Sequence, residues 1–556
     1  MITWKTSLFS GYLALFFAVC LDSAYAQETA APPAQPPSHL LRQILITTGI
    51  EDAQKLVPQP EAGFVVMSPP VAFLDSTELK KRLAPGENRP LDDKLLAAIA
   101  QVVENFLRQH DFPVATAVIP PQSISGGIVR VAVLFGKFRN FRFQGNRWFS
   151  DSLLKEKLRV EHGERVRLSQ LDQALSWTNN NPFRRVRVHM EPVPGTDEVD
   201  LIIGVQERLP LRLLALYDNA GNATLGKNRF IGSISYGNLW GRDHQVSYQY
   251  ITSDQPEIFK AHGLDYRVPL PWRHYLQFSA SYLRATPEFF DGLFTQDGES
   301  ITTELRYSFP LHVRGRPIDF FTALNFKQSN NNLAFGGEEF LTTTDIFQVS
   351  SGVSTVIRDK RGAWALSASL TYSPGEINSR NSDAAFRDSR FGADSNYVYG
   401  SFSFQRLLNL ERGWEFMSRA VIQAASRNLI ASEQLTAGGS ATVRGFNENV
   451  FAGDEGFVFS NDVLLPVLKK PLPFKTKNQL ILETRFLFFY DAANVRLKER
   501  FATDAKFAPL ASTGVGVRMN VGTYLNVTAD YGWQISDLPY PVEEHGRGHI
   551  KVTLAY

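Results

Sequence analysis

The sequence predicts a membrane β-barrel of about 16 antiparallel strands, preceded by two small α+β units. Three observations point there. From Leu209 to Tyr556, segments of ~10 residues alternate apolar and polar side chains. Beyond Ala26, no uninterrupted apolar stretch reaches the ~18 residues that a membrane-crossing helix requires. Residues 62–208 hold two consecutive units of one order: strand, helix, helix, strand, strand.

Residues 1–26 read as a secretory signal peptide. Lys5 precedes the apolar run "LFSGYLALFFAVCL", and Ala24-Tyr25-Ala26 supplies small residues for cleavage. The lone cysteine, Cys20, lies inside this segment. A chain cut after Ala26 therefore has no thiol for a disulfide or for a cysteine metal or redox site. Residues 27–61 begin as a proline-rich linker, "QETAAPPAQPP". Within them, 38–56 reads as a short helix with Ser38 as N-cap, ended by Pro58 and Pro60. The formal charge of +2 leaves no electrostatic footprint for nucleic acid.

The first unit spans 62–138. "FVVMS" is a strand, and "STELKKRLA" and "DDKLLAAIAQVVENFLRQH" place apolar residues at helical spacing: Leu91, Leu95, Ile99, Val102, Val103 and Phe106. "ATAVIP" and "IVRVAVLFGKF" close it as strands. The second unit, 139–208, repeats the order. "FRNFRFQG" is a strand and "SDSLLKEKLRV" a helix capped near Ser150 or Asp151. "RLSQLDQALSWTNNN" is the second helix; "VRVHMEPV" and "EVDLIIGVQE" are the closing strands.

From 209 to 556 the alternation is strict. In "HYLQFSASYL", Leu276, Phe278, Ala280 and Tyr282 oppose Gln277, Ser279 and Ser281. In "YLNVTADY", Asn526, Thr528 and Asp530 share the polar face. The chain ends "HIKVTLAY", with Ile550, Val552, Leu554 and Tyr556 on one face. A soluble β-sandwich also alternates. Aromatic strand ends, unequal loops and an apolar face running to the last residue favour a lipid-embedded barrel. Tyr556 is then the expected C-terminal barrel signal. In "ILETRFLFFYD", Glu483, Arg485 and Asp491 share one face, and Thr484, Phe486, Phe488 and Tyr490 the other. Charge facing lipid is costly, so the charged face is the lumen. Glu483, Arg485, Arg518 and Lys551 are read as wall charges.

Several stretches match one family in order along the chain. "LALYDNAGNATLGKNR" at 214–229 looks like its first barrel segment, and "NLWGRDHQVSYQY" at 238–250 like the hairpin that follows. "LSWTNNNPFRRVRVHMEPVPGTDEVDLIIGVQE" looks like the end of its second periplasmic unit, and "LASTGVGVRMNVGTYLNVTADYG" like its penultimate barrel region. "VRGF", at 443–446, matches the hallmark of its long sixth extracellular loop. The chain thus resembles the transporters of two-partner secretion, the TpsB or ShlB/FhaC/HecB haemolysin secretion/activation type, over nearly its whole length past residue 26.

The resemblance implies an outer-membrane barrel of a Gram-negative bacterium with two POTRA domains in the periplasm. It implies that residues 436–456 fold back into the lumen. Arg444, followed by Gly445 and Phe446, would meet an aspartate in a motif resembling "FFYDAANV", which here is Asp491. The bland alternative for Arg444 is an exposed loop charge. The resemblance also implies the partners. These are a large secreted exoprotein (TpsA type) bound through its N-terminal secretion domain, outer-membrane lipid, and barrel-assembly machinery for insertion. In position, 38–56 resembles the family's plug helix, the alternative being a poorly ordered tail.

Other functions find less support in the residues. No G-x-S-x-G, H-E-x-x-H or G-x-x-x-x-G-K-[ST] occurs, so neither an enzyme nor a cofactor is implied. His545 and His549 in "HGRGH" read as solvated loop residues rather than a metal pair. An assembly insertase of the same superfamily also carries VRGF but usually more POTRA repeats. A diffusion porin would lack the repeat.

Overall fold

The computed structural model describes residues 39–55, 63–67, 74, 76–124, 126–194, 196–222, 224–289, 294–313, 316–330, 332–335, 338–340, 343–473, 479–500, 508–536 and 545–556. The expected signal peptide and most of the linker lie outside them. Two compact units divide the chain. One holds residues up to His110 with Ala115–Phe135; the other holds Asp111–Val114 and Gly136–Tyr556.

The first unit is a four-stranded sheet under helices. Strands β1 (Gln43–Thr47), β2 (Val65–Met67), β3 (Thr116–Val118) and β4 (Ile128–Leu134) order as β2-β1-β4-β3. Helix α1 (Ile50–Lys55) follows β1, and α2 (Thr77–Leu83) and α3 (Asp93–Gln109) follow β2. Asp92 starts α3 by accepting from the Leu95 amide at 2.7 Å, which satisfies one of the unpaired donors of its first turn. The helix then buries Ile99, Val103, Phe106 and Leu107, one stripe at helical spacing.

Here the structure departs from the expectation for 38–56. Those residues are not one helix. Gln43–Thr47 is a strand buried along its length, parallel to both β2 and β4. A central strand covered on both faces reads as a continuous apolar run, and "ILIT" is one. With its backbone spent on two neighbours, this stretch is part of a sheet and not a lumen plug. The first unit therefore begins before residue 62.

The second POTRA-like unit keeps the expected order: β5 (Lys137–Gln144), α4 (Asp151–Leu158), α5 (Leu168–Thr178), β6 (Arg184–Pro192) and β7 (Glu198–Glu207). The sheet runs β5-β7-β6, β5 parallel to β7 and β6 antiparallel to it. Ser150 is the N-cap of α4, accepting from the Leu153 amide at 3.3 Å. Phe149, Leu154, Leu171, Leu201 and Ile203 form the centre of its core.

Among the described residues, sixteen long strands close a barrel. They are β8 (Leu211–Asp218), β9 (Arg229–Leu239), β10 (His244–Ser253), β11 (Phe259–Pro269), β12 (Tyr275–Ala285), β13 (Phe294–Val313), β14 (Arg316–Asn330) and β15 (Thr343–Asp359). There follow β16 (Gly362–Ser373), β17 (Tyr397–Asn409), β18 (Glu415–Ala425), β19 (Glu455–Leu464), β20 (Ile481–Arg496), β21 (Ala508–Val521), β22 (Leu525–Gln534) and β23 (Gly546–Ala555). Every neighbouring pair is antiparallel, and β23 pairs with β8 from Lys551↔Asp218 to Ala555↔Leu214. Leu213 and Tyr556 exchange both backbone hydrogen bonds, at 2.9 and 3.2 Å, extending that seam to the last residue. Closure leaves no row of unpaired amides to face hydrocarbon.

The two faces differ as expected. On β20, Phe486, Phe488 and Tyr490 are exposed outward, whereas Leu487, Phe489 and Asp491 are buried inward. Tyr556, 74 % exposed, belongs to the outward set.

Candidate functional site

The inward face of β19–β23 is shaped to receive one loop. After β18 the chain forms a short hairpin, Leu435–Ala437 against Phe451–Gly453, and its tip carries Thr442 to Phe446. Phe446, Val443 and Ala437 pack with the inward residues Val458, Ala493, Val495 and Leu510. This apolar contact seats the loop on the wall, and it presents Arg444, 3 % exposed, to the polar row beside it.

The Arg444 guanidinium donates from Nε to Asp491 Oδ2 at 2.7 Å and from Nη2 to Asp491 Oδ1 at 2.8 Å. This fork on a carboxylate is the geometry that arginine supplies and lysine cannot. Nη2 also donates to Asp462 Oδ1 at 2.6 Å and to Ser460 Oγ at 3.2 Å. The Arg444 amide adds a bond to Asp491 Oδ2 at 3.1 Å. The guanidinium carbon lies over the Phe489 ring, 3.6 Å from its centroid, a cation–π contact. Arg444 is not an exposed loop charge.

Charge is balanced around it. Asp462 also takes Arg419 at 3.1 Å, and Asp530 takes Arg518 at 2.7 and 2.9 Å. Asp491, fully buried, has no wall cation of its own among these and depends on Arg444. The pattern is three aspartates, two wall arginines and a third arginine delivered by the loop.

The wall is also cut back to admit the backbone. Gly445 has φ +91°, and Gly532 lies beneath it; a Cβ on Gly532 would stand 2.7 Å from the Gly445 nitrogen. Gly514 leaves room for the Phe489 ring, which a Cβ there would meet at 2.3 Å. The Gly445 amide donates to His549 Nε2 at 3.1 Å, and its carbonyl accepts from Gln534 Nε2 at 2.8 Å. Both backbone polar groups of Gly445 are thus satisfied by the last two strands.

Of the residues expected from sequence, Arg444, Gly445, Phe446 and Asp491 come together. Arg518 lies beside them as the partner of Asp530. Glu483 and Arg485 face the same way but sit apart: Glu483 pairs with Lys469 at 2.8 Å, and Arg485 with Glu415 at 2.6 Å. His549 is a correction. It is buried on the inner wall as a hydrogen-bond acceptor, not solvated, because inward alternation on β23 points it under the loop. Among the described residues no cluster of carboxylates, histidines and cysteines has metal-binding geometry. Sequence reading missed Asp462, Phe489, Gly514 and Gly532. Their inward parity was legible; that Asp462, Phe489, Gly514 and Gly532 stand in one row across four strands depends on register.

A second buried constellation joins the second POTRA unit to the barrel. Arg184, at the start of β6, forks onto Asp243 in the β9–β10 turn; the Nη2 contact is 2.9 Å. Asn181 Nδ2 reaches Asp243 Oδ1 at 2.7 Å and the Gly237 carbonyl at 2.6 Å. The Phe183 ring lies where a Cβ on Gly237 would stand, at 2.1 Å. Lys157, 4.0 Å from Asp243, is pushed below the usual ammonium range by burial, which that carboxylate only partly offsets. Within the unit, the Arg139 hydrogen bond, helped by Arg142, holds the Asp200 carboxyl well below the usual carboxylate range.

A closed sixteen-stranded barrel with a periplasmic POTRA-type region and an arginine-bearing loop on its inner wall defines an outer-membrane protein transporter. The chain belongs to the haemolysin secretion/activation family: the profile "Haemolysin secretion/activation protein ShlB/FhaC/HecB" matches residues 197–519. "POTRA domain, ShlB-type" matches residues 69–136. The outer membrane transporter CdiB of Dickeya dadantii is 22 % identical over 95 % of this chain and 93 % of its own. The heme/hemopexin transporter protein HuxB of Haemophilus influenzae strain 86-028NP is 20 % identical, over 71 % and 69 %. The solved structure of CdiB from Escherichia coli superposes with a TM-score of 0.73 at 17 % identity, covering 96 % of this chain and 93 % of that one. The fold is the same in CdiB from Acinetobacter baumannii, with a TM-score of 0.60 at 16 % identity, over 94 % and 91 %. The protein is a translocation pore of two-partner secretion in the outer membrane.

Proposed function

We propose that this pore exports one large exoprotein, captured unfolded in the periplasm by the POTRA units through its N-terminal secretion domain. An unfolded chain pairs readily with an open sheet edge, where backbone bonds give affinity and side pockets give selectivity. The signal peptide cut after Ala26 delivers the transporter to the periplasm. Barrel-assembly machinery reading Tyr556 then inserts it into outer-membrane lipid. The chain acts as a conduit and not a catalyst, and it takes no cofactor.

Arg444, Gly445, Phe446 and Asp491 are proposed to hold the loop in the position that export requires. The single observation that carries this is that, among the described residues, buried Asp491 draws its cation from the loop alone. Glu483, Arg485 and Arg518 are wall charges that keep the lumen wet. Deleting the gene and comparing secreted proteins by mass spectrometry tests the reading. Loss of one large, repeat-rich exoprotein from the medium is the expected result. An unchanged secretome combined with depleted barrels in the outer membrane would point instead to an assembly insertase.

A further inference from the structure

A second segment lies on the inner wall at the mouth away from the second POTRA unit. Between β16 and β17, residues 374–396 carry α6 (Asp383–Ser389). Ser382 caps it, accepting from the Ala385 amide at 3.3 Å, and Asp383 stands in the first turn where the helix dipole favours it. Its buried anchor is Phe386, packed with Ile346, Tyr397, Ala425 and Leu429. Those neighbours face inward: Ile346 stands opposite Lys327, whose Nζ reaches Glu433, and the Tyr397 hydroxyl accepts from Gln348.

Carboxylates tie the segment down. Asp345 accepts from Arg380 Nε at 3.1 Å and Asn378 Nδ2 at 3.0 Å. Asp394 takes Arg387 at 2.5 Å and Arg427. Asp454 is different, because one carboxylate reaches four separate stretches of chain. It is fully buried and accepts from five donors. Two come from Arg390, just past α6, at 2.5 and 3.1 Å. The others are the amides of Leu429 and Lys498, both at 2.9 Å, and Gln434 Nε2 at 3.2 Å. Gln434 opens the Arg444 loop and Asp454 ends it, so one carboxylate clasps the neck of that loop while holding the α6 segment. A carboxylate with so many donors is directional and well bound, and losing its charge weakens every contact at once.

We propose that Asp454 is a positioning residue for export in its own right: through Arg390 it latches the α6 segment over the outer mouth of the lumen, a closure separate from the Arg444 contact. The inference rests on the export reading. Opening the pore then requires release of two latches, and each can be released alone.

The test uses full-length protein with a nitroxide on Ala384→Cys, an exposed site in α6, or on Asn447→Cys, an exposed site beside Phe446. Each label is placed in the native background, in Asp454→Asn and in Arg390→Gln. Both substitutions should mobilise the 384 label, and Arg390→Gln, which spares the donors at the loop neck, should leave the 447 label immobile. In planar bilayers both should raise the frequency of large open events by roughly tenfold, the shift expected from losing one charge-assisted hydrogen bond. The double variant should do little more than Asp454→Asn alone, since the Arg390 fork is already weakened there. An immobile 384 label in Asp454→Asn overturns the proposal. So does joint release of both labels in Arg390→Gln, the signature of a merely structural role, or release at 384 without a change in conductance. Were the latch to behave as described while deletion of the gene left the secretome intact, the closure of the lumen by Asp454 would stand, but the export reading and the role in export would fall.

Discussion

Replacing Arg444 with alanine removes the only cation that Asp491 engages among the described residues. The flanking aspartates survive the change, Asp462 with Arg419 and Asp530 with Arg518, so one buried carboxylate is left with a single amide donor. Breaking a buried ion pair by deleting one partner costs about 3–5 kcal/mol. Lumen water entering the vacated space offsets part of this, so the lower end applies. The loss falls on loop docking rather than on the barrel, whose strand ladders do not involve Arg444. About 3 kcal/mol is roughly a 100-fold shift from docked toward undocked loop. Arg444→Lys keeps the charge but loses the fork and the cover over Phe489, and about 1.5–3 kcal/mol is expected for one charge-assisted bond lost. The assay pairs a nitroxide at residue 447 with export of the exoprotein, normalised to the heat-modifiable folded barrel. The alanine variant should release the label and abolish most export, with lysine intermediate. An alanine variant with an immobile label and full export at normal barrel levels refutes the reasoning.

Three further outcomes follow from the same geometry. Gly532→Ala leaves every charge in place but puts a Cβ 2.7 Å from the Gly445 nitrogen, so it should release the 447 label nearly as well as Arg444→Ala; an immobile label would show that the close approach is not needed. Arg184→Ala leaves Asp243 buried without its fork, costing about 3–5 kcal/mol at the joint between the second POTRA unit and the barrel. Faster tryptic cleavage between residues 207 and 211 should report it, and an unchanged digest would count against the joint. Asp200 is acid-sensitive in a defined direction. Its folded carboxyl titrates below the ~3.9 of an unfolded aspartate, so its contribution is complete above that value and is lost as pH falls through the folded one. Asp200→Asn should therefore lower neutral-pH stability of the second unit and flatten its acid unfolding curve; an identical curve would remove the role.

Much of this architecture is legible without coordinates, and the reasons differ by element. Strand parity is local, so alternation in "ILETRFLFFYD" was enough to turn Asp491 inward. Helix caps are local too, and Ser150 was readable as one. The stretch 38–56 was misread because a central parallel strand and a short helix share the same apolar run, and only pairing with β2 and β4 separates them. His549 was read as solvated at the turn and strand start because nothing local shows that Gly445 of a loop about a hundred residues earlier would cover it.

What the sequence determined alone was the order of the units, the lipid-facing and lumen-facing sides of the barrel strands whose alternation is clean, and the single arginine in the inward loop. Only the tertiary structure decided which charges meet. Register between strands distant in sequence aligned Asp462, Phe489, Gly514 and Gly532 beneath Arg444 and Gly445. Loops far apart in the chain brought Arg390 and Gln434 to Asp454. Periodicity tells a residue which way to face, but the neighbour it finds there is set by closure of the whole cylinder.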